Sequence, residues 1–202
     1  DLPTEQGLKR VSALNNHRFP FETTDHSLRK AIETVRSQGN FLATVDEAVY
    51  SEADVIVVDV HLDIPFEDDD PVLEMQPFKD AISAVASRVK KGALILVETT
   101  VPPGTCELIV APILASELSK RGMAEGDVFL AHSYERVMPG ANYLNSIVNF
   151  WRVFASNSQK GSELCREFLS SFINVRDFPL TELESMTASE TAKVLENTYR
   201  AV

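Results

Sequence analysis

Long hydrophobic runs are missing from this chain, and so is any excess of basic charge. No apolar stretch reaches the roughly 20 residues that a bilayer-spanning helix needs. The N-terminus lacks a basic segment followed by an apolar one, so no secretory signal is visible. Lys and Arg number 19 against 30 Asp and Glu, a net charge of −11. That argues against nucleic-acid and anionic-membrane partners, both of which select a basic face. It leaves room for a phosphate-bearing small molecule, which needs only local backbone N–H groups and one or two cations. Cysteine is nearly absent. Cys106 and Cys165 form neither a disulfide framework nor a zinc site by spacing, and a reducing, cytoplasmic compartment is the default expectation. No repeat or low-complexity segment interrupts the 202 residues, and 44% hydrophobic with 24% charged content is ordinary for a globular domain.

What is present is an alternation of helical and strand-like segments. Thr4 is placed to cap a helix carrying Leu8, Val11 and Leu14. Residues 18–25 read as a loop, and Asp25 as the cap of a helix that Gly39 stops. Phe41–Val45 reads as a short strand, and Asp46 as the cap of a short helix to Ser51. The β-branched run Val55–Val60 reads as a buried strand. Residues 61–76 form a long loop, a class often tied to function. Its acidic run Glu67–Asp70 reads as solvated surface rather than a Mg²⁺ site. Helices are expected over Phe78–Val89, Gly104–Lys120 and Ser158–Phe172. Strands are expected at Ala93–Val97, Val128–Ala131, Val148–Ala155 and Val175–Phe178. Thr181–Glu184 has capping-box form, and Met186–Val202 is helical to the last residue. The fold class is therefore α/β: a Rossmann-like parallel sheet with helices on both faces, followed by the start of a long helix. The chain opens on a bare cap and closes in mid-helix, so both ends read as cut.

In open parallel sheets, ligands bind beyond the carboxyl ends of the strands. Two segments occupy such ends. Glu98–Thr105 (ETTVPPGT) offers the hydroxyls of Thr99 and Thr100 to a ligand or an ordered water. It reads equally as a stiff strand-to-helix turn with Thr105 as cap. Ser133–Gly140 (SYERVMPG) places Glu135 and Arg136 side by side, either a ligand contact or a surface ion pair, with His132 before them as a packing residue. A third segment is helical. Lys193, Asn197 and Arg200 share one face, suited to a phosphate or a developing oxyanion or simply solvated. Leu195 and Tyr199 lie roughly opposite. Cys106, in a first helical turn where a dipole can lower a thiol pKa, and Cys165 both read as packing residues.

ETTVPPGT, then SYERVMPG, then TASETAKVLENTYRAV, in that order, resembles the nucleotide-sugar 6-dehydrogenases, the UDP-glucose/GDP-mannose dehydrogenase family. The wording is closer to the family's UDP-N-acetylhexosamine branch, and the likeness runs from about Val55 to Val202. The resemblance implies an NAD-binding Rossmann domain over residues 1–180, with first strands missing, and the start of a central connecting helix over 181–202. It implies NAD-dependent oxidation of a sugar C6 alcohol to a carboxylate through an aldehyde, a cysteine-bound thiohemiacetal and a thioester. Matched by motif, Thr100 would contact the nicotinamide side and help place a water, and Asp1 would bind the cofactor ribose. Glu135 would assist thioester hydrolysis at the sugar, with Arg136 a secondary substrate contact. Lys193 would stabilise oxyanions at C6, and Asn197 would orient the substrate. The implied partners are a nucleotide sugar and, in a longer enzyme, a second copy of the chain through the central helix. No metal, nucleic acid or membrane is implied.

The departures are specific. No G-x-G-x-x-G turn is present, and neither cysteine stands in the Gly-Gly-x-Cys setting of the family's nucleophile. The fragment alone is therefore expected to be inactive. His61-Leu62-Asp63-Ile64-Pro65 replaces a Thr-Pro contact with the cofactor, and Tyr134 stands where Pro is usual. Two alternatives remain at this point: another Rossmann oxidoreductase of the hydroxyacid dehydrogenase type, or a non-catalytic nucleotide-sugar-binding remnant.

Overall fold

The computed structural model describes residues 3–16, 18–62, 66–67, 70–71, 73–137 and 140–201. Asp1 and the segment Asp63–Pro65 lie outside them, as do Asp68 and Asp69 of the acidic run. Seven α-helices are described: α1 (Glu5–Asn15), α2 (His26–Ser37), α3 (Gln76–Ala86), α4 (Ala111–Lys120), α5 (Tyr143–Val148), α6 (Gln159–Ser170) and α7 (Met186–Ala201). The strands are β1 (Val55–Val58), β2 (Phe66–Glu67), β3 (Asp70–Pro71), β4 (Leu94–Val97), β5 (Phe129–Ser133), β6 (Val153–Ser156) and β7 (Thr181–Glu182). No described helix is long and apolar enough to cross a membrane.

The chain forms two units, residues 47–135 with 151–202 and residues 1–46 with 136–150. The larger unit holds a five-stranded sheet in the order β1-β4-β5-β6-β7. Side chains alternate across it. Ile95 and Val97 of β4 face a core with Ile56, Val58, Ile82, Val85 and Leu114, whereas Leu94 and Leu96 face Phe154, Cys165 and Leu169. Helices α3 and α4 thus cover one face and α6 the other, which makes β4 fully buried and explains its unbroken LILV. The sheet is mixed rather than wholly parallel: β5 and β6 run antiparallel, while the other pairs are parallel. The reversal is made by residues 136–150, which leave the larger unit between the two strands.

Four sequence expectations are corrected. Residues 41–46 are not a strand. Leu42 is 74% exposed, and Ala43 exchanges both of its backbone hydrogen bonds with the Asn15 side-chain amide, at 2.8 and 3.0 Å, in place of a neighbouring strand. The strand expected over Val148–Ala155 is confined to β6, because Val148 ends α5. Residues 175–178 are a turn held by Asn174, whose carbonyl accepts from Asp177 and Phe178 and whose side chain donates to Asp177 at 3.0 Å; these local bonds outweigh β-propensity. Thr181 is a strand residue, donating to the Arg152 carbonyl at 3.0 Å, so Ser185 caps α7 instead, its Oγ accepting from Ala188 at 3.0 Å. The helix expected from Gly104 to Lys120 is present but divided, with a π-helical turn over Cys106–Val110 before α4. Pro112 has no N–H to continue an α-helical ladder, and the wider turn absorbs that gap.

In the smaller unit the caps are those read from the sequence. Thr4 accepts from Gly7 at 3.1 Å. The Asp25 carboxylate accepts from Ser27 and Leu28 of α2 and, on its other oxygen, from Leu144 at 2.8 Å. The Ser27 hydroxyl, then the Leu144 N–H, hold its pKa down at about 2 against an ordinary 3.8. The depressed value means its stabilisation is complete above about pH 4 and lost as pH falls through 2. Asp25→Ala is expected to lower the melting temperature at neutral pH and to remove that acid-dependent part, as read by circular dichroism melts at pH 7 and pH 2.

Candidate active site

The candidate site is built where α7 packs along β5 and β6 and against the helical turn that follows β4. Val97 and His132 are paired in parallel register, so Thr100 and Glu135 each lie three residues beyond one of a matched pair. Lys193 of α7 is 8% exposed. Its Nζ donates to the Glu135 carbonyl at 2.8 Å, and the ion pair to Glu135 Oε1 is 3.4 Å. The ammonium also stands 5.1 Å from the centre of the Tyr134 ring, a cation–π contact supplied by the residue that departs from the usual Pro. Segments 58 residues apart are thereby joined.

The other expected residues have different surroundings. Thr100 is exposed on the turn, and Asn197 is exposed one helical turn beyond Lys193. Arg200 is exposed and pairs along the helix with Glu196 at 2.7 Å. The Arg136 guanidinium stacks on Phe150 of its own unit, 4.4 Å from the ring centre. Thr99 belongs to the scaffold: its buried Oγ1 accepts from Val60 N at 2.8 Å and donates to Val58 O at 3.3 Å, tying the end of β1 to β4.

Several residues of this region carried no sequence signal. Glu98 and Arg152 form a 2.6 Å ion pair with side chains 14% and 2% exposed. Burial raises the Glu98 pKa, Arg152 opposes it, and the charges of Glu135 and Asp59 add to the rise. Glu190 is fully buried and accepts from the backbone N–H groups of Gly104 at 2.5 Å and Cys106 at 2.8 Å. A carboxylate at i−3 from a Lys is too common on helices to draw notice.

His132 is 0% exposed and bonded through Nδ1 to Ser189 Oγ at 2.8 Å. Burial, then the Lys193 ammonium, lower its pKa from 6.5 to about 4. The folded state therefore holds a neutral ring where the unfolded chain takes up a proton, so stability falls as pH drops from 6.5 to 4. The shift corresponds to on the order of 3 kcal/mol. Urea titrations at pH 7 and pH 4.5 on the wild type and His132→Gln are expected to show this pH-dependent portion in the wild type only.

The cofactor question turns on the Glu98–Thr105 turn. Its N–H groups at Gly104 and Cys106 are already taken by Glu190, so they are not available to a diphosphate. What the turn presents is the exposed Thr100 hydroxyl. The sequence carries no G-x-G-x-x-G turn. Both thiols are buried: burial raises the Cys106 pKa well above the usual thiol range, with Glu190 adding to it, and burial raises that of Cys165 to about 12.

A mostly parallel sheet flanked by helices on both faces is the Rossmann-type arrangement. Residues 5–173 match the UDP-glucose/GDP-mannose dehydrogenase family, NAD binding domain, and the chain belongs to that family. It is 36% identical over 139 residues to the UDP-N-acetyl-D-mannosamine dehydrogenase of Pyrococcus horikoshii, covering 68% of this chain and 31% of that protein. The protein of the same description from Methanocaldococcus jannaschii is 26% identical over 194 residues, 96% of this chain and 41% of the relative. The crystal structure of an NDP-N-acetyl-D-galactosaminuronic acid dehydrogenase from Methanosarcina mazei superimposes with a TM-score of 0.86 at 28% identity, over 99% of this chain and 41% of that one. The chain spans between about a third and two fifths of the length of these relatives.

Proposed function

We propose that this chain is the NAD-side part of an enzyme that oxidises the C6 alcohol of a UDP-N-acetylhexosamine to the acid. The observation that carries the reading is the Lys193–Glu135 pair, an ammonium held against a carboxylate at the carboxyl end of the sheet. Lys193 is the group that stabilises negative charge on the C6 oxygen. Its Nζ has three donors, and the Glu135 carbonyl occupies one at 2.8 Å. Glu135, partly exposed, accepts a proton from the water that hydrolyses the acyl intermediate. Asn197 orients the sugar, Thr100 places the water, and Arg136 is a secondary substrate contact. NAD, when bound, accepts the hydride. Because Cys106 and Cys165 are buried with raised thiol pKa values, the covalent step draws on a cysteine elsewhere in the longer polypeptide.

The exposed Leu195 and Tyr199 of α7 support pairing of two copies through that helix, and two unbridged thiols suit a cytoplasmic enzyme. The test is NADH formation by the longer protein with a panel of UDP-hexoses, UDP-N-acetylhexosamines and small hydroxy acids. Turnover of a UDP-N-acetylhexosamine is expected. Turnover of a hydroxy acid alone overturns the reading. The 202-residue chain by itself is expected to form no NADH.

A further inference from the structure

We propose that Glu190 is a positioning residue, a clamp that sets the Thr100 turn against the Lys193–Glu135 pair; the link to turnover rests on the function proposed above. The carboxylate is 0% exposed, and no cation pairs with it among the described residues. Burying a lone carboxylate is costly unless its oxygens are bonded. Here Oε2 takes the N–H of Gly104 and Oε1 that of Cys106, across 86 and 84 residues of chain.

Two N–H groups that open a helical turn call for two acceptors, and the turn's own dipole favours an anion there. A carboxylate supplies both acceptors, whereas a glutamine amide supplies one and sets a donor against the other N–H. Gly104 stands at φ +90°, a backbone that few other residues adopt, so the geometry the clamp grips is itself specified by sequence.

The turn is pinned at both ends. Thr99 holds it to β1 through Val58 and Val60, and Glu190 holds it to α7. Thr100, Pro102 and Pro103 are exposed between the pins. The same helix fixes β5 through Ser189 to His132 and the Glu135 loop through Lys193. Ser189, Glu190 and Lys193 therefore lie within about one turn of α7 and tie two strand ends into one register. A displacement of roughly an ångström in such a register is worth on the order of 10²-fold in rate.

The test reads amide hydrogen exchange on this chain and steady-state kinetics on the longer enzyme. In Glu190→Ala the Gly104 and Cys106 amides are expected to exchange at least about 10-fold faster while those of β4 and β5 keep their rates. In Glu190→Gln only one of the two loses protection. In the longer enzyme Glu190→Ala is expected to lower kcat by about 10- to 10²-fold with little change in KM for the nucleotide sugar, and Glu190→Gln to recover part of it. Unchanged exchange at both amides overturns the clamp, as does an equal rise throughout the sheet. Local loosening with unchanged kcat overturns its positioning role. A wild-type enzyme that turns over no nucleotide sugar refutes the proposed function instead, and the exchange measurement still decides the clamp.

Discussion

Replacing Arg152 with methionine is expected to destabilise the fold by about 3–5 kcal/mol, the range for removing one partner of a buried ion pair. The loss is that of a stranded charge. Glu98 has its side chain 14% exposed, and Arg152, 2% exposed, is its bonded cation at 2.6 Å. Burial already raises the Glu98 pKa, and the charges of Glu135 and Asp59 push the same way. Without the guanidinium nothing opposes these effects, and the pKa climbs further. Above the raised pKa the variant must bury an uncompensated carboxylate; below it the group is protonated and that part of the loss disappears. Urea titration should therefore show a larger difference between wild type and Arg152→Met at pH 8 than at pH 5. The double variant Glu98→Gln with Arg152→Met should recover much of the stability, because the pair is non-additive. A loss independent of pH would mean that Arg152 acts by packing, for which its 5.9 Å approach to the Phe172 ring is the available contact.

Much of this architecture was readable in advance, and the parts that were not share a cause. β4 is buried on both faces, so LILV announces itself without reference to the rest of the molecule; VIVV marks β1 as a strand, but Val57 is 41% exposed and only the Ile56 and Val58 face is buried. The caps at Thr4 and Asp25 are local, satisfied within three residues. The failures need information from far away. Residues 41–45 have strand composition, but the Asn15 amide takes the place of a sheet partner. Thr181–Glu184 has the form of a cap, yet Thr181 bonds to Arg152, just before β6, and Leu183 to Phe154 within it. The antiparallel β5–β6 pairing depends on where residues 136–150 return the chain. The candidate site divides in the same way. Glu135 and Lys193 were legible because each sits in a worded motif, and their meeting is a tertiary fact. Glu190 and Arg152 were invisible because their significance lies wholly in burial, and burial of a charged residue cannot be read from its name.

Lys193→Ala in the longer enzyme is expected to lower kcat by about 10²-fold or more, the scale for removing a group that stabilises a developing oxyanion. The variant also leaves the partly exposed Glu135 without its ion-pair partner, so binding and chemistry must be separated. If Lys193 acts on charge that appears only during reaction, kcat falls while the nucleotide sugar still binds in isothermal calorimetry. If the chain is a binding remnant without chemistry, affinity falls and there is no turnover to lose. Lys193→Arg is expected to restore the charge but not the rate. The guanidinium is larger and planar, and it would have to occupy a niche in which Nζ lies 2.8 Å from the Glu135 carbonyl and 5.1 Å from the Tyr134 ring centre. Glu135→Gln should behave differently: it preserves the Lys193 contact to the backbone carbonyl of residue 135 while removing the proposed base and the charge paired with Lys193, so oxidation to the acyl stage is expected to continue while hydrolysis slows. Accumulation of a covalent acyl intermediate in Glu135→Gln, seen by intact-protein mass spectrometry, together with its absence in Lys193→Ala, would assign the two members of the pair to separate steps.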